Sequence, residues 1–257
     1  MKRDLWTRHF REYYAPPWPC PACPKGTLAI VRKSLIFKET ERSKRANDRE
    51  DWCPEDTEYA FTAWLKCQQS NCGQEVAVVG SGGLEPEQDD QGGITWSSFF
   101  APRYCLPMPN IIEIPRKCPN EVKRELQASF TLSLADTDVA AGRLRVALER
   151  LMDALGVQKR RKAKGGNLYD LSLHERIELL QKREPTAGSQ LMALKWLGNV
   201  GSHQGGVKRT DLLDAFEILE HSLAELIDRR TARMAALAKE LTKKHRPRGR
   251  KKGITSP

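Results

Sequence analysis

Long hydrophobic runs are missing from this chain. No apolar stretch approaches the roughly 18 residues that span a bilayer, so no transmembrane segment is expected. The opening MKRDLWTRHFREYY is basic but has no apolar stretch behind it, so no secretory signal is expected either. The cysteines number seven, an odd count, which argues against a complete disulfide framework. A reducing compartment, the cytoplasm, fits these absences. The chain also lacks a phosphate-binding glycine loop, a nucleophile elbow and an acidic metal cluster at usable spacing.

What is present is an ordinary soluble composition. The 257 residues are 39% hydrophobic and 30% charged, which suits one large domain or two small ones with a modest core. The net charge of +10 is unevenly placed. One run holds Lys159, Arg160, Arg161, Lys162 and Lys164. A second holds Lys243, Lys244, Arg246, Arg248, Arg250, Lys251 and Lys252. Without these two runs the chain is near neutral. Such runs either form a solvated end or attract polyanions, RNA or DNA, by releasing condensed counterions.

The chain changes grain near residue 115. The first part is rich in Pro, Gly, Trp and Cys, and its short apolar stretches at 27–32, 60–67, 75–79 and 94–100 read as strands. Residues 38–56 and 80–93 are charged or glycine-rich and are expected to be mobile excursions between strands. From Pro119 onward Leu and Ala recur at helical spacing, giving about five helices. They are expected near 120–135, 138–155, a short one opened by Ser172 with Glu175 as a capping box, 189–203, and a long one over 211–243. The expected fold class is therefore α+β. A small β domain over 1–115 precedes an all-helical bundle over 116–242, and a disordered basic tail covers 243–257.

Cys20 and Cys23 are spaced Cys-Pro-Ala-Cys, and Cys67 and Cys72 are spaced Cys-Gln-Gln-Ser-Asn-Cys. A short turn of this kind points two thiolates at one ion, and two such turns complete a soft tetrahedral shell for Zn²⁺. The first half therefore resembles a zinc ribbon, with a closed, structural site. The alternatives are a set of free buried thiols, or a redox pair at Cys20 and Cys23. Cys53, Cys105 and Cys118 have no partner at ligand spacing, though Cys53 could stand in as a ligand.

The second half carries AAGRLRVALERLMDALGV, LSLHERIELL, LKWLGNVGSHQGG and TDLLDAFEILEHSLAEL in that order, after the extended lead-in FFAPRYCLPMPNIIEIPRKCPNEV. Over about 100–226 this order resembles domain-of-unknown-function family 4145. That family is found in type I restriction subunits and grouped with the HEPN superfamily of helical bundles. The resemblance implies RNA-related work in prokaryotic defence, a defence-system partner, and a homodimer formed through the bundle. In active HEPN nucleases the motif reads Arg-Asn-x-x-x-His. There His moves a proton and Arg steadies the phosphorane charge. His203 and Asn199 match the motif here, but Gly198 stands at the arginine position. Lys195, one turn earlier, offers a point charge and not a bidentate fork. The resemblance therefore implies a binding or adaptor module without catalysis, and a metal-independent endoribonuclease using His203 is the alternative.

A plainer reading also fits the residues. Asn199 and His203 can satisfy carbonyls at a helix end, while Trp196 and Leu197 supply core. Arg145 and Glu149 lie four apart in the order that pairs less well within a helix. That order points to a tertiary partner, expected at the Asn199 and His203 end.

Overall fold

The computed structural model describes residues 1–89, 92–163, 165–203 and 205–246. The architecture is α+β, with a strand-rich first half and a mainly helical second half. No helix among the described residues is long and apolar enough to cross a membrane.

Five strands build the first half: β1 (Leu28–Ile30), β2 (Ile36–Glu39), β3 (Glu58–Cys67), β4 (Glu75–Gln88) and β5 (Ile94–Leu106). The sheet is antiparallel in the order β1-β3-β4-β5, and β2 also pairs with β3. Residues alternate along β3, as a half-buried strand requires. Phe61, Ala63, Leu65 and Cys67 turn inward, while Ala60, Thr62, Trp64 and Lys66 face out. The inner face packs on aromatics from the first 20 residues, where a short helix α1 (Asp4–Thr7) is followed by an extended run. Trp6 stacks on Trp18 at 5.0 Å, and Phe10 meets Trp18 at 5.1 Å.

The two expected excursions are largely structured. Residues 80–88 continue β4 and pair with β5 through Ser98, Phe100 and Pro102. Glycine is read from sequence as a loop residue, but here it marks a close approach within a strand. A Cβ on Gly80 would stand 2.2 Å from the Ala101 carbonyl oxygen and 2.7 Å from the Phe61 ring. In the charged stretch, Lys38 and Glu39 finish β2, α2 (Glu41–Ala46) follows, and a 3₁₀ turn covers Pro54–Asp56.

The second half holds α3 (Asn120–Ser133), α4 (Thr137–Ala154), α5 (Leu173–Gln181), α6 (Pro185–His203), α7 (Arg209–Leu226) and α8 (Arg230–His245). Their starts follow the local chemistry. The Asp136 carboxylate accepts the Val139 N–H ahead of α4, and Ser172 with Glu175 forms a full capping box on α5. Phe130 of α3 and Phe216 of α7 meet edge to face at 5.2 Å in a core that also holds Leu144, Leu148 and Leu223. The expected single last helix is two helices. Arg229 adopts a left-handed conformation, with φ of 48°, between α7 and α8. Every described residue of α8 is exposed. The basic loop after α4 is a hairpin, β6 (Arg160–Lys162) with β7 (Leu168–Asp170).

The N-terminal segment joins the halves. Arg209 at the start of α7 donates to the Trp6 carbonyl at 2.7 Å, and Arg3 bonds Asp214 and the Thr210 carbonyl. Trp6, Ile111, Leu134, Leu212 and Leu213 line a common void at this seam.

Candidate metal centre and the α4–α6 crossing

The first cysteine pair sits on a small hairpin just before β1. Cys20 donates its N–H to the Gly26 carbonyl at 2.9 Å, and Leu28 donates to the Trp18 carbonyl at 2.8 Å. The Ala22 N–H lies 3.4 Å from the Cys20 sulfur. The second pair sits where β3 turns into β4. Cys67 ends β3, its N–H bonds the Gln74 carbonyl at 2.8 Å, and the Cys72 N–H bonds the Gln69 carbonyl at 3.0 Å. Pairing of β1 with β3 sets Leu28 opposite Cys67 and so brings the two turns together.

The four sulfurs of Cys20, Cys23, Cys67 and Cys72 lie within 4.8 Å of one another and could hold a metal ion. Cys20 to Cys72 and Cys23 to Cys67 are both 3.7 Å. That is far beyond the disulfide length of about 2.05 Å, and all seven cysteines are free. A backbone hydrogen bond at Gln69 favours the Cys67 thiolate, but burial and the neighbouring sulfurs outweigh it and push the thiol up to about 12. At Cys72 a backbone hydrogen bond at Gln74 leads, and the thiol is held below its ordinary value. Four sulfurs this close cannot all be thiolates without a cation among them.

Gly26 is a part of this site that the cysteine spacing does not reveal. A Cβ there would stand 2.4 Å from the Cys67 sulfur and 2.6 Å from the Cys23 sulfur. The available signal is a glycine three residues past the second cysteine. Cys53 is not in the cluster; its thiol faces Glu55 and Asp56. Cys105 is buried against the Met108 sulfur at 3.0 Å, and burial pushes its thiol up to about 12. Cys118 is also buried, and burial raises its thiol.

On the helical half, α4 and α6 cross closely. The structure brings Arg145, Glu149 and Asn199 together there. Arg145 donates from Nε to Asn199 Oδ1 at 3.1 Å and from Nη1 to Glu149 Oε1 at 2.8 Å. The Gly198 backbone packs directly on Arg145. His203 ends α6, and its side chain lies outside the described residues. The turn leaving α6 is pinned by Asp138, whose carboxylate accepts the N–H groups of Gly206 at 3.0 Å and Val207 at 2.8 Å.

Two residues of α6 differ from the sequence reading. Trp196, expected in the core, is 54% exposed, whereas Lys195 is 7% exposed. The buried stripe of α6 runs through Leu191, Leu194 and Gly198, which places Trp196 on the outer face. The Lys195 stem is covered, and its ammonium sits over the Trp196 ring at 3.4 Å from the centroid. Burial, then the charge of Arg145, lowers the Lys195 pKa.

The cationic residues divide. Arg160 pairs with Asp170 at 2.7 Å, and Lys159 with Asp153 at 2.9 Å. Among the described residues Arg161 and Lys162 form no ion pair, nor do Lys243, Lys244 and Arg246. Lys164, Arg248, Arg250, Lys251 and Lys252 lie outside the described residues.

Two family profiles match this chain. Residues 8–105 match Domain of unknown function (DUF8608), and residues 127–244 match Domain of unknown function (DUF4145). The first covers the sheet and all four clustered cysteines, and the second runs from within α3 into α8. No curated protein and no solved structure matches the chain.

Proposed function

We propose that this protein is a non-enzymatic nucleic-acid-binding adaptor, with a structural zinc ion in its strand-rich half and a HEPN-like bundle as its binding half. Zinc is favoured by the sulfur spacing. Zn–S bonds of about 2.3 Å in a tetrahedron set neighbouring sulfurs about 3.8 Å apart, and two sulfur pairs here are at 3.7 Å. Cys20, Cys23, Cys67 and Cys72 would fill all four positions and leave none for substrate, so the ion would staple the fold and not react.

The observation that carries nucleic-acid binding is the set of cations without carboxylate partners. Arg161 and Lys162 stand on β6, Lys243 and Lys244 in the last turn of α8, and Arg246 just past it, all exposed. Phosphates would displace counterions from them. The expected setting is prokaryotic defence, with two copies paired through the bundle. Fluorescence anisotropy with labelled RNA and DNA across a salt series tests the binding. Affinity should fall linearly with salt on logarithmic axes; no binding at low salt would contradict the reading.

One observation favours the endoribonuclease alternative. Arg145 delivers a guanidinium to Asn199, one helical turn from His203, although the motif arginine is absent. Incubation with mixed RNA in magnesium-free buffer decides between them. Cleavage that disappears in His203→Ala supports the enzyme; intact RNA at high protein concentration supports the adaptor.

A further inference from the structure

α8 leaves the body of the molecule as a helix on its own. Arg229 breaks it from α7 in a left-handed conformation, and its first turn is held where the Thr231 N–H meets the Glu225 carboxylate at 3.3 Å. Every residue from Arg230 to His245 is exposed, yet the family profile over the bundle runs to residue 244 and so takes in nearly all of α8. A lone helix of this length is marginal in water, because most helical stability comes from packing an apolar face. α8 carries such a face. Met234, Leu237 and Leu241 recur at steps of three and four, the spacing of a coiled-coil seam, and are 45%, 48% and 59% exposed. Ala238 widens this stripe, while Lys239 and Lys243 stand on the opposite side of the helix.

We infer that α8 pairs with α8 of a second copy, the two helices running antiparallel. The inference rests on the proposal above that two copies pair, and it names the surface. The charges bordering the stripe select this partner and this direction. Arg233 and Glu240 lie on one flank of it, and neither forms an ion pair among the described residues. In an antiparallel pair like flanks face each other, so each Arg233 meets the second copy's Glu240 and two ion pairs close. Arg230 and Lys244 extend the stripe at its ends, one heptad to either side of Leu237. A parallel pair would set Arg230 on Arg230 and Lys244 on Lys244, like charge on like. The antiparallel pair lays the Arg230 stem over the second copy's Leu241 and keeps these charges apart. Nucleic acid on this face would take up the cations but leave three apolar side chains in water, and a wholly acidic groove would set like charge against Glu240. Self-pairing covers the stripe and leaves Lys243 facing out for the binding proposed above.

The test is sedimentation velocity of the full chain at about 0.15 M salt, with loading from about 10 μM to about 1 mM. The variants all lie at exposed positions, and melting curves show that each folds. The parent should form dimers as concentration rises, and Leu237→Glu should stay monomeric. Glu240→Arg and Arg233→Glu should each weaken the dimer about ten-fold, since two ion pairs become repulsions. The double swap should return it to within about two-fold of the parent, and so should mixing the two single variants. A dimer equally strong in every variant would overturn the α8 seam while leaving pairing through another face of the bundle. Weakening in the single swaps without rescue in the double swap would overturn the antiparallel arrangement. A parent that stays monomeric across the range would overturn both the seam and the pairing it rests on.

Discussion

Gly198 on α6 and Arg145 on α4 meet where no side chain fits between the helices. A Cβ added to Gly198 would stand 2.6 Å from the Arg145 Cβ and 3.1 Å from the Ala141 carbonyl oxygen. The glycine at the motif position is therefore a packing requirement of this crossing. Gly198→Arg should not rebuild a nuclease; it should push α4 and α6 apart at a cost of about 1–3 kcal/mol, the usual size of overpacking. Chemical denaturation measures this directly. A variant as stable as the parent would show that the crossing has room.

Arg145→Ala should behave differently. Its ion pair with Glu149 is partly exposed, with the two side chains at 33% and 39%. Such a pair is worth about 1 kcal/mol or less. Stability measured by chemical denaturation should therefore barely move. A large stability loss would make Arg145 a structural clamp between α4 and α6.

At the sulfur cluster, Gly26→Ala should disturb the metal without removing a ligand, because the new Cβ would press on the sulfurs of Cys67 and Cys23. Competition with a chromophoric chelator should show weaker metal retention than in the parent. Cys67→Ser should go further and loosen the Trp6–Trp18 stack beside the site, moving tryptophan emission to longer wavelength. Retention and emission equal to the parent in both variants would contradict a metal-held hairpin.

Asp153 ties the end of α4 to α5. Burial opposes its ionisation, but hydrogen bonds from Lys159 and Arg176 outweigh that and hold its carboxyl below the ordinary carboxylate range. Arg176 is buried, reaching Asp153 at 2.8 Å and the Val157 carbonyl at 3.0 Å. A carboxylate depressed on folding stabilises fully above its unfolded pKa of about 3.9. That contribution is lost as pH falls through the lower folded value. Stability should therefore drop on acidification below about pH 4, and Asp153→Asn should lose about 1–3 kcal/mol at neutral pH by leaving Arg176 short of a partner. Denaturation curves at several pH values check this; unchanged stability and acid response in Asp153→Asn would contradict the Asp153–Arg176 tie.

Local chemistry made parts of this fold legible in the sequence. The Ser172–Glu175 capping box and the leucine stripes of α4 and α7 appear where the residue pattern puts them. The cysteine spacing likewise pointed to one cluster. Features set by distant contacts were hidden. Nothing in the sequence around Arg229 marks a helix break, since neither Gly nor Pro stands there. The glycines of β4 read as a loop from sequence because the rings that fill their space come from β3 and β5. Trp196 reads as core from sequence, but the buried stripe of α6 through Leu191, Leu194 and Gly198 leaves it on the outer face.

Metal content tests the proposed zinc at the four sulfurs most directly. Native mass spectrometry of the full chain, paired with elemental analysis, should find one zinc ion per chain, lost when Cys20 and Cys67 are both replaced by serine. A folded, metal-free chain carrying four reduced thiols at Cys20, Cys23, Cys67 and Cys72 would contradict it.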